Sequence, residues 1–116
     1  MSKNYPEMAT DLSVSINRLR KGIPDTMKGF SAMATAATAD GSLDPKTKEL
    51  IATAISVAVR CDGCIASHTK SAGKNGANRE EMLEALGIAV YMGGGPSIVY
   101  AAQALDAFDQ FSEECE

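Results

Sequence analysis

KTKELIATAISVAVRCDGCIASHTKSAGK, residues 46–74, decides how the chain must fold. Both halves read as helix, and Cys61-Asp62-Gly63-Cys64 stands between them. In one straight helix Glu49 and His68 would lie nearly 30 Å apart, at about 1.5 Å per residue. If the chain folds back near residues 60–63, Glu49 sits about 16 Å before the corner and His68 about 12 Å after it. The two helices then pack side by side, and a Glu side chain plus a water spans the remaining gap. On the first helix Glu49, Thr53, Ser56 and Arg60 form a polar line on an otherwise apolar segment.

The second helix carries the chemistry. Cys61, Cys64 and His68 are offset by three and four, so they share one face. Both cysteines fall in the first turn, where the helix dipole lowers a thiol pKa, and the thiolate is the reactive form. His68 is one turn further on, placed to hydrogen-bond Cys64 or take its proton. A thiolate that attacks a peroxide O–O bond becomes a sulfenic acid, which a second nearby thiol condenses to a disulfide. Glu49 is the candidate partner that orients His68. Taken singly, each of these is more often an ordinary buried cysteine, a surface histidine or a solvated glutamate. As a set they point to redox chemistry. Zinc held by Cys61, Cys64, His68 and Glu49 ranks below it, because structural zinc usually draws on two separated ligand pairs.

Outward from this hairpin the punctuation is helical. Met8, Leu12, Ile16 and Leu19 have the spacing of one helix face, ended by Gly22. Pro24 opens an alanine-rich segment that runs to Asp40-Gly41, and Asp44-Pro45 is an N-cap followed by proline. Asn78-Arg79-Glu80-Glu81 starts the next helix as a capping box, Gly93-Gly94-Gly95 stops it, and Pro96 restarts the chain. No stretch shows the two-residue alternation of strands. The expectation is an all-α fold of about six helices, one domain over residues 1–116, with the CxxC at the start of a helix.

The totals narrow the function. With 116 residues, 45% apolar content and no Trp, small and aliphatic side chains must build the core. Net charge −4 and pI near 4.9 argue against nucleic acid or an anionic membrane as partner. No apolar run approaches a membrane span, and MSKNYPEMATDLSVS lacks the basic start and apolar run of a secretory signal. A cytoplasmic protein is expected, and in a reducing compartment a CxxC is more often redox or metal chemistry than a staple. Cys115 stands alone in the acidic tail.

The run from GSLDPKTKEL through VAVRCDGCIASHTKSAGKNGANREEMLEAL to GGGP resembles the alkylhydroperoxidase D (AhpD)-like branch of the carboxymuconolactone decarboxylase family. The resemblance covers residues 27–111, and its specific part is Glu, eleven residues, CxxC, three residues, His, which Glu49, Cys61, Cys64 and His68 fit without a gap. It implies an all-α fold in homo-oligomers, trimers or hexamers, and peroxidase or thiol–disulfide activity with no cofactor, metal or haem. It makes Cys64 the peroxidatic cysteine, Cys61 the resolving one, and His68 with Glu49 the proton relay. The dipole alone would favour Cys61. The substrate implied is a hydroperoxide, and the reductant a thiol or a lipoyl-type donor. One departure stands out: members often carry a histidine or an aromatic residue before the second cysteine, where this chain has Gly63. Two alternatives accompany this reading. One is a γ-carboxymuconolactone decarboxylase-like lyase, which would not need the cysteines. The other is a helical redox-sensing or assembly module without turnover, suggested by Met27, Met33, Met82 and Met92.

Overall fold

The computed structural model describes residues 3–114, so Cys115 lies outside the described residues. These residues form six α-helices and no strand: α1 Tyr5–Gly22, α2 Pro24–Thr38, α3 Pro45–Ala58, α4 Asp62–Lys74, α5 Arg79–Gly93 and α6 Gly95–Glu114. The breaks fall where turn chemistry puts them. Asn4, Asp44 and Asn78 accept the backbone N–H of Glu7, Thr47 and Glu81, relieving donors that the first helical turn leaves unpaired. Hydrogen bonds from Thr47, side chain and backbone, hold the Asp44 carboxyl below its ordinary range. Glu81 reaches back to the Asn78 N–H and completes the capping box. Between α5 and α6, Gly94 adopts φ 71°, ψ −151°, a region open essentially to glycine, and α6 starts at once.

α3 packs most extensively on α4 and α5, and α6 closes the other side of α4 and α5. Their shared core holds Val57, Ile65, Met82, Leu86, Phe108 and Phe111, with alanines between them that let the backbones approach closely. Two ion pairs tie the helices across this core. Lys46 Nζ lies 2.8 Å from Glu81 Oε2, and with the Asn78 backbone it holds the Glu81 carboxyl below its usual range. Arg79 donates to both Asp109 oxygens, at 3.1 and 3.2 Å.

Two helix faces depart from simple hydrophobic patterning. The polar line of α3 points inward: Glu49, Thr53 and Ser56 are buried, while Ile51, Ile55 and Val59 are exposed. Thr53 and Ser56 meet the cost of burial locally, their hydroxyls donating to Glu49 O at 2.9 Å and Ala52 O at 2.7 Å. On α1 only the first half of the apolar stripe is covered: Met8 and Leu12 are half-buried, Ile16 and Leu19 exposed. α2 buries no residue at all.

Candidate functional site

The corner between α3 and α4 builds the site. Arg60 takes a left-handed conformation, φ 59°, while its N–H donates to Val57 O (3.1 Å) and the Cys61 N–H to Ser56 O (3.0 Å). This is the Schellman ending of a helix, normally given to glycine. The same pair of bonds ends α4, where Gly76 occupies the left-handed position with φ 93°. At Arg60 a side chain stands in that place, at a cost of about 1 kcal/mol. The reversal delivers Cys61 in extended conformation as the N-cap of α4, its Sγ accepting the Cys64 N–H at 3.1 Å. A disulfide joins Cys61 and Cys64, whose Cα atoms are 5.2 Å apart.

The same fold-back brings α4 against α3 and sets His68 on Glu49. His68 Nδ1 is 3.0 Å from Glu49 Oε2 and 3.4 Å from Oε1, a direct contact where a bridging water was expected from helix lengths alone. The glutamate is only 6% exposed, whereas the histidine side chain keeps a third of its surface. A carboxylate only accepts, so Nδ1 carries the hydrogen and Nε2 is the nitrogen left for the cleft. All four predicted residues thus belong to one corner: the disulfide at the head of α4, His68 a turn below it, and Glu49 behind His68.

Three further residues hold this corner, and the sequence did not single them out. Tyr5 is fully buried, and its hydroxyl donates to Asp62 Oδ1 at 3.2 Å, between the two cysteines. Burial first, then the Asp62 charge, push the Tyr5 phenol up, which keeps it a neutral donor. Lys3 pairs with the other Asp62 oxygen at 2.6 Å. Leu12 lies over Gly63, where an added Cβ would stand 2.8 Å from Leu12 Cδ1. Gly63 therefore lets α1 close over the CxxC turn, and a ring at that position would displace Leu12. The one available signal was Pro6 after the Asn4 cap, which places Tyr5 at the very start of α1 without saying what covers it.

Beside the disulfide is a cleft of about 660 Å³ between α1, α2 and α4, lined among others by Cys61, Gly63, Cys64 and His68. Among the described residues no group of three or more His, Cys, Asp or Glu side chains is placed to hold a metal ion. No described helix is long and apolar enough to cross a membrane.

The sequence model of the carboxymuconolactone decarboxylase family matches residues 24–107. An uncharacterised protein of Cupriavidus necator, H16_B0147, is 39% identical over 109 residues, spanning 94% of this chain and 96% of the relative. The crystal structure of lpg0406 from Legionella pneumophila, a protein of the same family, is 53% identical, covers 96% of this chain and 99% of its own, and superposes with a TM-score of 0.92. A second family structure, TM1620 from Thermotoga maritima, has 33% identity and a TM-score of 0.77, and covers 96% of this chain and 92% of its own. An involvement in antioxidative response has been suggested for it.

Proposed function

The chain belongs to the carboxymuconolactone decarboxylase family, and from that premise we propose that it is a cysteine peroxidase cycling Cys61 and Cys64. What supports this above all is the Cys61–Cys64 disulfide sharing a cleft with a histidine that a buried carboxylate orients. In this reading the Cys64 thiolate attacks the terminal oxygen of a hydroperoxide. The O–O bond breaks, Cys64 becomes a sulfenic acid, and the leaving alkoxide takes the proton that His68 drew from the thiol. The Cys61 thiol then attacks the sulfenic sulfur, water leaves, and two electrons have passed to the peroxide. A dithiol donor, a small thiol or a lipoyl group, reopens the disulfide in a reducing compartment such as the cytoplasm. Glu49 is a positioning residue, acting through His68.

The test is a single turnover. When the reduced protein meets one equivalent of cumene hydroperoxide, intact and peptide mass spectrometry should find a Cys61–Cys64 disulfide formed within the mixing-to-quench interval. Thiols that stay reduced would sink the peroxidase reading.

The working form is a homo-oligomer. α2 buries nothing within the chain, and its Met33 is 60% exposed. On α5 Ile88, Tyr91 and Met92 are also exposed. So much apolar surface on a small domain calls for cover, and second copies of the chain supply it. Light scattering should give a multiple of the 12.2 kDa chain mass; a monomer at micromolar concentration would refute the assembly.

A further inference from the structure

The cleft beside the disulfide has two kinds of wall. Its apolar lining includes Leu12 and Ile16 of α1 and Phe30 of α2, with Leu12 over Gly63 beside the cysteines. It is also cationic: Arg20 continues the α1 stripe one turn beyond Ile16, and Lys70 and Lys74 line it from α4. No Asp or Glu lines it, although the chain has net charge −4. Among the described residues Arg20 and Lys74 form no ion pair; Arg20 donates only to Asn17, at 3.1 Å, and Lys70 lies over the Phe111 ring. Leu12 to Arg20 is about 12 Å of helix, and Cys64 to Lys74 about 15 Å. Arg20 and Lys74 therefore stand about an acyl chain's length along their helices from the CxxC end of the cleft, with Ile16 and Phe30 among the residues that line it.

We propose that this cleft binds the hydroperoxide of an amphipathic carboxylic acid. Its chain lies along Leu12, Ile16 and Phe30, its carboxylate is held by Arg20 and Lys74, and its peroxide is delivered to Cys64. The proposal rests on the peroxidase reading and adds the substrate class. The volume, about 660 Å³, is in the range of sites that enclose a molecule of that size. In an acidic protein, unpaired cations gathered along one apolar groove are the complement of an anionic, amphipathic ligand. The balance of the reaction is that of any hydroperoxide: the terminal peroxide oxygen goes to Cys64, the hydroxy acid leaves with the proton from His68, and Cys61 closes the disulfide with loss of water.

The experiment compares linoleic acid hydroperoxide with its methyl ester, both below aggregation, as oxidants of the reduced full-length chain, with disulfide formation followed by quenched-flow mass spectrometry. The free acid should react about tenfold faster than the ester at low ionic strength, and salt should erode that preference. In the double variant Arg20→Gln/Lys74→Gln the acid-to-ester ratio should fall toward one. Equal rates for acid and ester in the native protein would overturn the proposal. So would a double variant that slows both equally, since the cations would then be tuning the thiolate rather than reading the carboxylate. If cumene hydroperoxide also leaves the thiols reduced, it is the peroxidase reading that has failed, and this proposal falls with it.

Discussion

Cys64→Ser is expected to slow oxidation of the reduced protein by cumene hydroperoxide by about a hundredfold or more, while Cys61→Ser still reacts once. In Cys61→Ser the product should be a Cys64 sulfenic acid that dimedone traps, without a disulfide and with over-oxidation on longer exposure. The comparison is sharp because the two sulfurs have different surroundings. Cys61 is the N-cap of α4, and its Sγ accepts the Cys64 N–H at 3.1 Å. That bond and the helix dipole favour a thiolate at Cys61. Cys64 is within the helix, one turn before His68 on the same face, where an imidazole can take the thiol proton. Two physical effects thus compete, and the assignment to Cys64 holds only if the base outweighs the dipole. Serine at position 61 is itself a good N-cap, so this variant keeps α4 intact. Each variant loses the crosslink equally, about 2 kcal/mol for so short a loop, so stability does not confound the comparison. A dimedone adduct on Cys61 in Cys64→Ser, with Cys61→Ser inert, would exchange the two roles.

What the sequence reveals of this site is what local rules control. The break at residues 60–63 follows from Asp62-Gly63 at a helix start, and once the chain reverses, the spacing of Glu49 and His68 brings them together. The caps at Asp44 and Asn78 and the glycine stop at residues 93–95 are likewise local, and the helix boundaries agree with them. The polar line of α3 was legible as the side turned to α4, through Glu49 and His68, but not as the buried one. Hydrophobic periodicity points its Ile51, Ile55 and Val59 side to the core, yet Glu49, Thr53 and Ser56 are the buried ones. The reason is that the core-facing side must hold Glu49 against His68, and the threonine and serine can bond their own helix backbone.

Tertiary contacts over long sequence separations were equally hidden. Nothing near Tyr5 announces that its hydroxyl will reach Asp62, or that Leu12 will cover Gly63. Those contacts also give a physical account of the departure at Gly63. A histidine or aromatic ring there would occupy the space that α1 fills, so in this chain the N-terminal helix takes over as one wall of the cleft. Arg60 in a position suited to glycine is a similar case: only the observed reversal, with Cys61 N–H bonded to Ser56 O, exposes its left-handed backbone.

Glu49→Gln should slow disulfide formation by about tenfold to a hundredfold, and His68→Ala by about a hundredfold to ten-thousandfold, in the same single-turnover measurement. A glutamine oxygen can still accept from Nδ1, so ring orientation survives and what is lost is the charge behind the imidazole. Glu49 is 6% exposed and bonded to His68 at 3.0 Å, so the ring is its direct route to the sulfur. That gives a result a merely structural glutamate would not produce. The double variant Glu49→Gln/His68→Ala should react no more slowly than His68→Ala alone, since groups that act as one unit are strongly non-additive. If the two losses multiply instead, Glu49 acts on the chemistry or the fold independently of His68, and the relay is wrong. Circular dichroism melts of all three variants separate those cases, because a loss through the fold lowers the melting temperature of Glu49→Gln with or without the histidine.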